Sequence, residues 1–199
     1  GRHDNVATFD FASLYPSVFT TWNISPDTFV PAADVPARDP AALTRCPRFD
    51  VEGVPQGGEC FLRSPLGIIP TIYVQVAERR AHYKRAMRDV PPLSPEWMRL
   101  KRLEYVWKTL GLSMYGTMGS VFARIYNRAV AQSVTLTAQF LTRATLALAE
   151  RLGFRPIYGD TDSCFVGVQD EARDVPLLLA EARALYRFIG DRYGCEVNR

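Results

Sequence analysis

Soft-metal and disulfide chemistry have little to work with in this chain, which carries four cysteines and two histidines in 199 residues. Cys46, Cys60, Cys164 and Cys195 are widely scattered, no C-x-x-C pair occurs, and neither His3 nor His82 lies near a cysteine at ligand spacing. That argues against a zinc site and against a disulfide framework. No charged stretch followed by an apolar core opens the chain, and no apolar run reaches the ~18 residues that a membrane span requires. Internal repeats and low-complexity tracts are also lacking. An intracellular, reducing setting away from membranes is the expectation. Net charge is low as well: +3, with a pI near 8.7, is too weakly basic to imply nucleic acid by itself. The placement of the charges has to decide that. What is present is a 47% hydrophobic, 23% charged composition, enough for a globular core. The first residue is Gly1 and a strand is expected from the apolar residues just after it, so the sequence reads as a piece of something longer.

The pattern along the chain predicts an α+β fold. Residues 5–11 read as a buried strand, and 13–22 as a helix that tolerates Pro16 in its first turn. From Ser25 to Pro65 the composition shifts to Pro, Gly, Ala and isolated charges, which predicts a long surface loop with one short strand near 60–62. Pro70 begins a helical run to about Asp89. Val90-Pro91-Pro92-Leu93 breaks it, and Ser94 as N-cap with Pro95 at the first helical position starts another run to about Met114. Two such helices should form an antiparallel hairpin. A further helix over 127–152 places Val130, Val134, Leu141 and Leu148 on one face. Strands over 154–158 and 164–168 flank an acidic turn, and an amphipathic helix over 175–193 closes the order.

That acidic turn is the most informative segment. Asp160-Thr161-Asp162 sits inside Ile157-Tyr158-Gly159-Asp160-Thr161-Asp162-Ser163, and Asp10 opens the distant segment Asp10-Phe11-Ala12-Ser13-Leu14-Tyr15-Pro16-Ser17. A lone D-x-D is more often only a turn that suits aspartate. Strands carrying all three acids could pair so that their carboxylates converge, and like charges held together call for a divalent cation. Two hard cations about 3.5 to 4 Å apart are the requirement of two-metal phosphoryl transfer. Such chemistry needs cations for a polyphosphate too. Arg80 and Lys84 lie four apart on one face of the first hairpin helix, and Lys108 lies on the second, so facing helices could clamp phosphates. The plain alternative is that Arg79, Arg80, Lys84, Arg85 and Arg88 form a solvated face.

Three segments together carry a resemblance. DFASLYPS at 10–17 resembles motif A of the family B DNA polymerases, KTLGLSMYG at 108–116 resembles their motif B, and YGDTDS at 158–163 resembles motif C, in the family's order. Asn23-Ile24-Ser25-Pro26, Gly67-Ile68-Ile69-Pro70 and Ala123-Arg124 extend the similarity over most of the chain. The resemblance implies a palm, a small antiparallel sheet backed by helices, and a helical-hairpin fingers subdomain. The expected division is an N-terminal palm part over 1–66 with motif A and the long loop, fingers over 67–117, and a C-terminal palm part over 118–199. Exonuclease and thumb are expected to lie outside the sequence, and the isolated piece to be inactive.

For individual residues, the resemblance implies catalytic carboxylates at Asp10, Asp160 and Asp162. Asp10 and Asp162 would share two Mg²⁺ ions, or Mn²⁺, with the Phe11 backbone carbonyl, and Asp160 would stand nearby. Arg80, Lys84 and Lys108 would bind the triphosphate of a dNTP. Ser13 and Leu14 would offer backbone amides to the phosphates at a helix N-terminus. Tyr15 would lie under the sugar and exclude a ribose 2′-hydroxyl. Tyr115 and Gly116 would pack against the nascent base pair. Primer-template DNA and dNTPs are the implied partners, with a processivity subunit contacting regions outside this chain.

DFASLYPS with YGDTDS is most like herpesvirus and other large DNA virus polymerases, which would place the work in viral DNA replication, in the host nucleus if herpes-type. One departure stands out: the asparagine four residues after the motif B lysine is Leu112 here. A catalytically retired module kept for DNA binding or assembly is the alternative that this leucine raises. Reverse transcriptase is weaker, because its Y-x-D-D turn is not found.

Overall fold

A computed structural model describes residues 2–50 and 52–195. Alternation is clear in the first strand, β1 (Val6–Asp10), where Ala7 and Phe9 turn inward while Val6, Thr8 and Asp10 stay exposed. A short turn leads into α1 (Leu14–Thr21), which buries Leu14, Val18 and Phe19. Pro16 falls within its first turn, where backbone N–H groups have no helical acceptor to lose.

The expected long loop over 25–65 is corrected by the structure, while the short strand expected near 60–62 is found as the end of a longer one. Residues 25–65 contain β2 (Phe29–Val30), β3 (Leu43–Phe49) and β4 (Pro55–Leu62), an antiparallel sheet in the order β2-β4-β3. Leu43, Thr44, Cys46, Cys60 and Phe61 are buried in it. Pro47, Pro55, Gly57 and Gly58 read as loop punctuation, but Pro47 and the shift of register between Arg45 and Pro47 sit at a bulge, where proline and irregular pairing are tolerated.

Next comes α2 (Ile68–Ala86), then α3 (Pro95–Gly119), joined as the expected antiparallel hairpin. Ser94 caps α3 by accepting from the Trp97 N–H at 3.2 Å, with Pro95 at the first helical position. The second helix continues past Met114 to Gly119 despite Gly116, because Met118 is fully buried in the core and holds the last turn. The two helices meet at Gly111. A side chain there would come within 3.3 Å of Val76 Cγ1, and the Tyr73 hydroxyl donates to the Gly111 carbonyl at 3.1 Å.

The long helix α4 (Arg128–Arg151) is capped by Asn127, which accepts from the Val130 N–H. It buries Val130, Val134, Ala138 and Leu141 along one stripe; Leu148, expected there too, is half-buried. β5 (Arg155–Asp160) and β6 (Ser163–Gly167) form the hairpin around the acidic turn. β6 pairs with β1 as well, giving a second antiparallel sheet in the order β1-β6-β5. One face of this sheet lies against Ala149 of α4 and Leu178 of the last helix, α5 (Glu171–Tyr193), through Ala7, Phe9 and Val166. The other face is open and carries the acids. The larger core gathers Phe19, Trp22, Ile24, Phe61, Met118, Val130 and Val134 from both halves of the chain, so the hairpin's root, the first helix and α4 share one apolar interior. The α+β class expected from the pattern is the class observed. No helix among the described residues is long and apolar enough to cross a membrane.

Candidate active site

Strand pairing brings the distant acids to one end of one sheet. Asp10 stands opposite Ser163, and Ser163 stands opposite Asp160, so β6 lies between the two acidic strands. The Phe11 N–H donates to the Asp162 carbonyl at 2.8 Å, which ties the exit of β1 to the turn between β5 and β6. Asp10 and Asp162 are thereby neighbours, although 151 residues lie between them in the chain. Asp160 lies on the outer strand, two strand spacings or about 10 Å from Asp10, with the Thr161 hydroxyl on its Oδ1 at 3.2 Å.

Both acid-bearing turns hold a residue in the left-handed region: Ser13 at φ 56° and Thr161 at φ 44°. For β-branched threonine this is a strained conformation that its surroundings must impose. Thr142 of α4 supplies part of the constraint, its buried hydroxyl donating to the Thr161 carbonyl at 3.0 Å. A second part is the close approach of β5 to α4. Gly159 lies where a Cβ would meet Leu146 Cδ1 at 2.7 Å.

Among the described residues, no group of three or more His, Cys, Asp or Glu side chains is arranged to hold a metal ion. The expected convergence of three carboxylates is therefore not what the geometry shows. It brings the main chains of Asp10 and Asp162 together and leaves Asp160 on the outer strand. A pair still suits magnesium, which binds through one or two carboxylates together with substrate phosphates and water, not in an all-protein cage. Both carboxylates are exposed hard-oxygen donors, and among the described residues neither has a basic partner within salt-bridge distance. On that chemistry the residues fit a divalent cation.

A cleft of about 1290 Å³ opens beside the acidic turn. Ser13, Leu14 and Tyr15 line it from the start of α1, Thr161 and Asp162 from the turn, and Arg80, Lys108, Leu112 and Tyr115 from the helical hairpin. Tyr15 packs edge-on against Tyr115, ring centroids 4.8 Å apart at 65°. Burial raises the Tyr15 hydroxyl above its ordinary pKa, and Tyr115 and the Asp162 carboxylate add to the rise. That hydroxyl stays a proton donor at neutral pH.

Five of the expected site residues stand outside the lining of the cleft: Lys84 and Gly116 on the hairpin, and Asp10, Phe11 and Asp160 at the end of the sheet. Lys84 is exposed and does not line the cleft, because it lies one turn beyond Arg80, farther from the root of the hairpin. Gly116 is exposed with open space where a side chain would stand. Arg80 is in the cleft but is not free. Its Nε and Nη2 both donate to Glu104 Oε1, at 3.1 and 2.9 Å.

Sequence reasoning missed Glu104 and the structural part played by Asn23. Glu104 is 4% exposed, and nothing in its surroundings along the chain marks it as buried. Asn23, at φ 50°, donates to the carbonyls of Leu62 and Pro65 at 2.8 and 2.9 Å and accepts from the Gly67 N–H at 2.8 Å. It binds the end of α1 to the entry of α2, and the available signal was an asparagine just past a helix, where αL is common.

The family model described as DNA polymerase family B matches residues 2–194. The chain is 36% identical over 166 residues to a DNA polymerase of Archaeoglobus fulgidus, covering 83% of this chain and 19% of that protein. It is 31% identical over 198 residues to DNA polymerase 2 of Aeropyrum pernix, covering 100% of this chain and 22% of that protein. Among solved structures, the family B DNA polymerase from Pyrobaculum calidifontis matches with a TM-score of 0.63 at 31% identity, covering 98% of this chain and 23% of that one. The chain thus spans about a fifth of the length of the curated relatives it matches.

Proposed function

This chain belongs to the family B DNA polymerases, and from that premise we propose that it is the palm-and-fingers part of a DNA-directed DNA polymerase that extends a primer on a template with dNTPs. In this reading the primer 3′-hydroxyl gives up its proton to solvent, its oxygen attacks the α-phosphorus to form a new P–O bond, the α–β bridging bond breaks, and pyrophosphate leaves. The observation that carries it is the placement of Asp10 beside Asp162 at the mouth of a cleft that also presents Arg80 and Lys108.

Asp10, Asp162 and the Phe11 carbonyl are the groups that would hold two Mg²⁺ or Mn²⁺ ions, with Asp160 in support. Bound there, the ions supply a more acidic 3′-hydroxyl and neutralise charge on the departing pyrophosphate. The remaining work falls to the chain. Arg80 and Lys108 hold the triphosphate from the hairpin side, and the Ser13 and Leu14 amides at the head of α1 hold it from below. Tyr15, braced by Tyr115, fills the space beneath the sugar. The base pair would lie over Tyr115 and Gly116, where the open space at Gly116 leaves room for it. Lys84 can take part only if the outer turns of α2 swing inward, which gives it a place in substrate capture and not in the resting cleft.

The finer expectation of a herpesvirus-like source, acting in the host nucleus, rests on DFASLYPS and YGDTDS; the matched relatives named above are archaeal and support the family without that source. The retired-module reading draws on Leu112 alone. Primer extension by the complete polymerase carrying this chain decides between them. The parent incorporates dNTPs with Mg²⁺, and Asp162→Ala abolishes incorporation while primer-template affinity stays within about twofold. Unchanged turnover in that variant would discard the assignment of Asp162, and a parent that binds DNA without extending it would leave the retired module.

A further inference from the structure

We infer that Glu104 is a positioning residue for nucleotide binding: it holds the Arg80 guanidinium by one edge so that the opposite edge faces the cleft. The inference rests on the proposed triphosphate-binding role of Arg80 and extends it to a side chain that touches no substrate.

The geometry starts from the register of the helical hairpin. Tyr73 is locked to Gly111 by a hydroxyl-to-carbonyl hydrogen bond of 3.1 Å. Arg80 is locked to Glu104 at 2.9 Å. From Tyr73 to Arg80 is seven residues along α2, and from Gly111 back to Glu104 is seven along α3. The two locks are therefore two helical turns apart on both antiparallel helices, and they fix translation and rotation together. Lys108 lies between them on α3 and lines the same cleft as Arg80.

The hydrogen bonds to Glu104 use Nε and Nη2, both directed at Oε1. A guanidinium carries five N–H donors in a rigid plane. Two are committed to Glu104, and the donors of Nη1 with the second of Nη2 remain on the side away from it. A fork held this way meets a phosphate with two parallel donors, which a freely rotating arginine does only at an entropy cost. Glu104 is itself fixed. Its side chain is 5% exposed, and Lys101 Nζ stands 3.9 Å from Oε2 on the other side. A buried carboxylate that only balanced charge needs no directed contact with Nε, whereas one that aims the plane does.

The test uses the complete polymerase and steady-state dNTP incorporation on a fixed primer-template. E104A is expected to raise KM for dNTP roughly tenfold, the loss of one charge-assisted hydrogen-bonded contact, with kcat within about twofold of the parent. E104Q keeps an accepting oxygen at the same reach and is expected to recover most of the loss. E104D keeps the charge but falls one methylene short, and is expected to resemble E104A. A role in charge balance alone would reverse the order of E104Q and E104D, and that order would overturn the inference. The second arm is a double-mutant cycle. With Arg80→Ala already in place, E104A should add nothing to KM, and an undiminished tenfold increase there would overturn it as well. If E104A does not fold, the Gln and Asp variants carry both arms. Failure of the underlying reading has a separate signature: Arg80→Ala alone would then leave the dNTP KM of the parent unchanged.

Discussion

Asn23 fastens two halves of the structure, and its removal has a calculable cost. In Asn23→Ala the Gly67 N–H loses its acceptor and the Leu62 and Pro65 carbonyls lose their donors. Gly67 is buried, so its N–H is stranded without water, whereas Pro65 is exposed and its carbonyl can be rehydrated. Counting the amide fully and the carbonyls in part gives about 2 to 4 kcal/mol at 1 to 3 kcal/mol per stranded group. Alanine at φ 50° adds about 1 kcal/mol, because asparagine tolerates the left-handed region and alanine does not. The sum, about 3 to 5 kcal/mol, is a large share of the 5 to 15 kcal/mol that holds a typical domain together. It acts where α2 enters the core, so the hairpin should loosen relative to α1 before the rest unfolds. Hydrogen exchange read by mass spectrometry over residues 62–69 in the complete polymerase is the direct assay. A local loss of ~3 kcal/mol corresponds to about a hundredfold loss of protection at Gly67. Asn23→Asp, which keeps the acceptor for Gly67, should lose less. Protection within twofold of the parent in Asn23→Ala would refute the argument, since it would mean that the three contacts hold nothing together.

Other expectations follow from single features. Tyr15→Ala should raise the use of ribonucleotides relative to deoxyribonucleotides in single-nucleotide incorporation, and an unaltered ratio would remove Tyr15 from sugar selection. Leu112 is 67% exposed at the cleft wall, so Leu112→Asn forfeits little packing and adds polar groups facing the triphosphate. It should lower the dNTP KM, and a higher KM would mean that the site is built around leucine. Asp174 gives a pH dependence. Hydrogen bonds from the Arg173 side chain, and then from the Asp170 and Gln169 backbone N–H groups, hold its carboxyl down at about 2. Because the folded-state value is depressed, its contribution is present above the ordinary carboxylate range near pH 4. That contribution is lost as pH falls towards 2, so protection at the start of α5 should decline across that window. Asp174→Asn should flatten that part of the profile, and an identical profile would exclude Asp174 as its source.

The amino-acid sequence by itself determined most of the helices. Ser94-Pro95, Asn127 and Gly153 state where helices start or stop, because caps and breakers act within one turn of the residues they affect. It also marked Asp10 and the Asp160-Thr161-Asp162 turn as chemistry when taken together, since either alone reads as a turn but like charges converging on paired strands call for a cation. Residues 43–59 escaped because a bulged sheet rich in proline and glycine has the local composition of a loop, and only pairing with a partner strand distinguishes the two. Tertiary structure alone decided which acids meet. Strand order places β6 between β1 and β5, so Asp162 at the turn comes beside Asp10 while Asp160 stays a strand farther out. The register of α2 against α3 likewise decided that Arg80 meets Glu104 and that Lys84 lies outside the cleft. Spacing within one helix says which residues share a face. What faces them is set by the close contact at Gly111 and by the long-range packing of the whole core.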